Sequence, residues 1–299
     1  MATTQNVVDR LREICGDVGG NVLTDAIAVN WLNIALDELA AGLNLFTEEE
    51  GLFVTQYSPF VSLPSDFSRV RSLLFKDYRP IFPLNEINLE DAPLTFSPDQ
   101  SGSPTHYFVE TIPGSNLLRL RLWPMPDTAD ITSTLNGAIS SSVTAATLAA
   151  LTSFEGKGIV KVDSEQMLFL ATDSSLVQLT RIARGYANTT AASHSSGATV
   201  TQASLILRYV RTVTALAAAS MSATVEWPDR YRMALCHYAA GIFYLATQED
   251  QKAAVQFQVA GFKEGRVRNE LINKQRTSLA LPRRRGRLTD GRAGGLQPW

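Results

Sequence analysis

The sequence is short of the residues that most often carry chemistry. Its 299 residues hold two cysteines, Cys15 and Cys236, and three histidines, His106, His194 and His237. The cysteines sit far apart in segments of helical periodicity. They read as small buried apolar side chains of a reducing compartment, not as a disulfide framework. Each histidine is separated in sequence from any Cys, Asp or Glu at metal-ligand spacing, so structural roles are expected of them. There is no Gly-x-x-x-x-Gly-Lys-Ser/Thr phosphate loop, no strand-linked Gly-x-Gly-x-x-Gly and no Gly-x-Ser-x-Gly elbow, which removes common signatures of nucleotide binding and hydrolysis. No apolar run approaches the roughly 18–20 residues of a membrane helix. The chain opens on polar residues, without a charged-then-apolar leader pattern. No catalytic, cofactor-binding or metal-binding residue is expected, and no membrane partner.

Two acidic groupings remain. Glu48-Glu49-Glu50 stands at a helix-to-strand junction, where a solvated surface is the expectation rather than an acid–base pair. Asp163 and Glu165 alternate along a strand-like run, which lets both carboxylates face one side. A calcium site and a plain polar sheet face both fit that spacing.

What is present is a globular composition, 45% apolar and 19% charged, with enough core for about two domains. Charge is unevenly spread. From Lys274 to Trp299 there are seven Lys or Arg against Asp290, a net +6, so the rest carries −8 of a total of −2. An acidic body with a basic arm points to charge-guided docking on a negative partner.

Helical periodicity marks residues 5–18 (Val7, Val8, Leu11, Ile14, Val18) and about 25–45 (Ile27, Trp31, Ile34, Ala35, Leu39, Leu43). It returns after Pro228, with Tyr231, Ala234, Leu235, Tyr238, Ala239, Ile242 and Leu245, and again through Ala253, Ala254, Phe257 and Ala260. Between the pairs the period falls to two, in short runs such as Phe60–Leu63, Val70–Phe75, His106–Glu110 and Leu117–Trp123. Pro80–Leu84 reads as an edge-like extended segment because proline cannot donate to a ladder, and Asn85–Ala92 as a helical turn or two. The next strand of that set comes only at Leu205–Arg211, so residues 132–203, rich in Ser, Thr, Ala and Gly, read as an insertion. The expected fold is α+β. A four-helix bundle is formed by N- and C-terminal helical pairs (1–50 and 224–273). A central antiparallel β-domain (51–131 and 204–215) carries a small inserted all-β domain (132–203), and an extended basic arm (274–299) ends the chain.

The arm is the candidate site. Arg283, Arg284, Arg285 and Arg287 could neutralise phosphates as a nucleic-acid hook. No stacking aromatic lies among them, however, and Leu279, Leu281, Leu288, Leu296 and Trp299 are spaced as apolar anchors. That pattern favours an extended peptide laid in a protein groove.

Several phrases resemble the head-to-tail adaptor (connector) proteins of short-tailed bacteriophages. They are Val8-x-x-Leu11-Arg-Glu-x-x-Gly-Asp17, Trp31-Leu-Asn-x-Ala-Leu-Asp-Glu-Leu39, Leu63-Pro-Ser-Asp-Phe-x-Arg-Val70, Leu120-Arg-Leu-Trp-Pro-x-Pro126 and Trp227-Pro-Asp-Arg-Tyr-x-x-Ala-Leu-x-x-Tyr-Ala-Ala240. The insertion resembles small β-modules of phage virion proteins. It carries Gly158-Ile-Val-Lys-Val-Asp-Ser-Glu165, then Arg184-Gly185, then Thr189-Thr-Ala-Ala-Ser-His-Ser-Ser-Gly-Ala-Thr-Val200. The resemblance implies a non-enzymatic virion protein at the neck, made in the host cytoplasm. Such a protein forms a homo-oligomeric ring, usually of twelve copies, between the portal and the tail tube or nozzle, with tail fibres a further partner. Double-stranded DNA passes through its channel without sequence-specific binding, and its arm, with Leu279, Leu281, Arg283, Arg284, Arg285, Arg287, Leu288 and Trp299, docks on the portal. A DNA-binding accessory virion protein using the arginines is the alternative.

Overall fold

The computed structural model describes residues 2–84, 100–115 and 117–261. The arm and the turn expected at Asn85–Ala92 lie outside the described residues. The chain divides into two compact units, Met1–Leu39 with Ala215–Trp299, and Ala40–Thr214.

The first unit is helical. Helix α1 (Thr4–Cys15) starts at a capping box in which Thr3 and Asn6 satisfy each other's backbone amides, and it stops at Gly16, whose φ of 73° is left-handed. The Asp17 carboxylate then accepts the amides of Asn21, Val22 and Leu23 and turns the chain into α2 (Asp25–Leu43). Helix α3 (Arg232–Ala246) buries Ala234, Leu235, Cys236, Ala239, Ala240, Gly241 and Tyr244. It lies parallel to α1: the Cys236 thiol meets the Val7 carbonyl at 3.8 Å and the Tyr244 hydroxyl donates to the Cys15 carbonyl at 3.3 Å. Helix α2 runs the other way, with Trp31 edge-on to Phe243 and the Tyr238 hydroxyl on Glu38. A fourth helix, α4 (250–261), folds back on α3, where His237 meets Gln256 and Tyr238 meets Phe257.

The expected four-helix bundle formed by N- and C-terminal helical pairs, framing an α+β fold, is not what these residues build. The helices gather around α3, whose small side chains let neighbours approach on several sides. Among the described residues most of the regular structure lies in strands, in several sheets. Terminal apolar stripes foretell helices; they do not foretell that short apolar runs in the middle sum to the larger cores.

In the second unit, β1 (Thr47–Leu52), β2 (Phe60–Ser62), β3 (Phe67–Phe75), β4 (Pro80–Pro83), β5 (Ser101–Gly102), β6 (His106–Thr111), β7 (Leu118–Trp123) and β8 (Met125–Pro126) come first. Next come β9 (Ile131–Thr134), β10 (Ala145–Thr147), β11 (Gly158–Val162), β12 (Glu165–Phe169), β13 (Ala171–Asp173), β14 (Gln178–Thr180), β15 (Ala183–Tyr186) and β16 (Thr199–Gln202), and then β17 (Leu205–Arg211). A seven-stranded sheet has the order β1-β17-β3-β4-β6-β7-β2. It is mixed rather than antiparallel, because β4 runs parallel to β6. Nor is β4 an edge. Phe82 and Leu84 donate to the Thr105 and Tyr107 carbonyls, so the missing N–H of Pro83 falls on the alternate side, past the two residue pairs that join β4 to β3.

Strands β15-β12-β11-β16-β9 form a five-stranded sheet and β10-β14-β13 a three-stranded one. Val160, Val162, Met167 and Phe169 face a core shared with Leu148 and Leu179. Ile159 and Leu168 point the other way, into a cluster with Ala203, Ile206, Phe53 and Leu74. The five-stranded sheet is thus covered on both faces, which explains why β11 and β12 are buried almost throughout.

Candidate functional site

The polar chemistry of the described residues converges on Glu165. Asp163 sits in the tight turn between β11 and β12 with φ 52°, and Glu165 opens β12, fully buried. The Arg184 guanidinium of β15 grips the Glu165 carboxylate with two parallel bonds of 2.8 Å. The amides of Gly185 and Ala192 add bonds of 2.8 and 3.0 Å. His194 completes the set, with Nε2 2.8 Å from Glu165 and Nδ1 2.7 Å from Asp163. Arg184 also donates to the carbonyls of Ser140 and Ala192, and His194 exchanges backbone bonds with Ile139. One carboxylate therefore ties together a hairpin, a neighbouring strand and two long loops.

Burial acts to raise the Glu165 pKa. Arg184, the two amides and His194 outweigh it and hold the carboxyl down at about 2. Four donors, two from Arg184 and one each from the Gly185 and Ala192 amides, match the about four lone-pair sites of a carboxylate, and His194 Nε2 is a fifth partner. His194 bridges the two carboxylates that the Asp163/Glu165 spacing puts on one side. Among the described residues no group of three or more His, Cys, Asp or Glu is placed to hold a metal ion.

His194 and Arg184 act together, and the sequence could have signalled it. Both belong to the phrases that resemble phage β-modules, yet each lies 19 or more residues from Glu165, beyond any local spacing rule. Gln166 gave no signal at all. Buried beside Glu165, it pairs its amide with the Gly51 amide and carbonyl and with Glu50, closing the outer edge of β1 like an extra peptide unit. Asp130 does similar work where the chain leaves and rejoins the large sheet, accepting the amides of Val54 and Ser204. Burial pushes its carboxyl up despite those bonds.

The glutamate run is not a free solvated surface. Glu48 pairs with Arg211, Glu49 with Arg208 and the Tyr186 hydroxyl, and Glu50 with Gln166. Burial raises the Glu50 pKa. Of the other sparse residues, Cys236 is buried in α3, and burial pushes the Cys15 thiol up to about 11, away from reactivity. On β2 and β7, Arg119 stacks 3.6 Å from the Phe60 ring centre and pairs with Glu110. The residues nominated for portal docking, Leu279 to Trp299, lie outside the described residues.

No helix among the described residues is long and apolar enough to cross a membrane. A search of curated proteins finds no match to the chain. The sequence pattern of the SU10 adaptor protein family matches residues 2–286. That match runs through both units and on to Gly286, and so the chain belongs to the SU10 adaptor proteins, structural phage adaptors.

Proposed function

We propose that this adaptor assembles into a ring, of twelve copies, between the portal and the tail tube or nozzle, and extends the DNA channel at the neck of the virion. The reading rests on the family match over residues 2–286, which takes in Leu279, Leu281 and Arg283–Arg285 and ends before Arg287, Leu288 and Trp299. The role is non-enzymatic. The saturated Glu165 cluster supports that reading, since its groups are committed to holding loops. Residues 132–203 act as an inserted β-module on the tail side or flank of the ring. The arm of residues 274–299 docks on the portal, where many weak arms acting together give a firm hold. The acidic remainder of the chain lets DNA slide through by repelling it.

Negative-stain microscopy of the protein with and without portal tests the ring: a closed ring on the portal is expected, and monomers in both samples would overturn it. Removing residues 275–299 should abolish portal binding. If salt-sensitive binding to bare DNA is lost instead, with portal binding intact, the arm is a nucleic-acid hook.

A further inference from the structure

We draw no further inference here: the strongest candidate, the open groove of about 590 Å³ in the seven-stranded sheet between the first half of β3 and β6, carries nothing because nothing in the structure shows what covers it.

Discussion

Glu165 carries more of the inserted sheets than its single side chain implies. Replacing it with Gln removes the charge but leaves the Arg184 guanidinium buried. Breaking a buried pair in this way costs about 3–5 kcal/mol, and chemical denaturation of Glu165→Gln should show a loss of that size. The same group gives a pH dependence of known sign. Its folded pKa, about 2, lies below the ordinary glutamate value of 4.5. The stabilisation is complete above the unfolded pKa and disappears as pH falls from about 4.5 toward 2. It is worth on the order of 2 kcal/mol once solvent screening of the pair is allowed for. Denaturation midpoints measured across that range should fall in the native protein and stay flatter in Glu165→Gln. Gly51 is a second sensitive position. A Cβ there would stand 2.8 Å from Ala203 Cβ and from Ile159 Cγ2, closer than packed carbons allow. Gly51→Ala should lose about 1–3 kcal/mol, read as a lower thermal midpoint.

At the scale of elements, α3 and α4 meet where Gly241 leaves room for the Phe257 ring. A Cβ at 241 would lie 2.7 Å from that ring. Helix propensity alone makes Gly→Ala favourable by about 1 kcal/mol, so the two effects oppose each other and the contact should win. Gly241→Ala is expected to lower the melting temperature in the native background and to raise it when Phe257 is Leu. Additive effects in that double-mutant cycle would refute the contact. The helices also show where periodicity fails. For α2 the sequence marked Ile27, Trp31, Ile34, Ala35, Leu39 and Leu43 as the inner stripe. The structure buries Ala28, Val29, Leu32, Ala35, Leu36 and Leu39 and leaves Ile27 exposed. A helix apolar nearly all round has no single stripe to read. Val18, placed with α1, stands exposed beyond the Gly16 cap.

For the whole molecule, stability and assembly should separate. The described cores of the second unit are built from residues between Leu52 and Tyr209, remote in sequence from the arm. Deleting residues 275–299 should leave the melting temperature unchanged while portal co-sedimentation is lost. A drop in both would mean that the arm belongs to the fold rather than to a partner.

The sequence by itself determined the helical segments, the run of short strands between them and the scarcity of reactive groups, because each follows from local period or from composition. It also carried, in phrases spread from Val8 to Ala240, the likeness to phage adaptors. Only the tertiary structure decided that α3 sits at the centre of the helices and that β4 lies inside a mixed sheet. It alone brought Asp163, Glu165, Arg184 and His194 to one point. Those outcomes depend on partners tens of residues apart, and the energy that selects them, the satisfaction of buried charge and the filling of space, exists only once the chain has closed on itself.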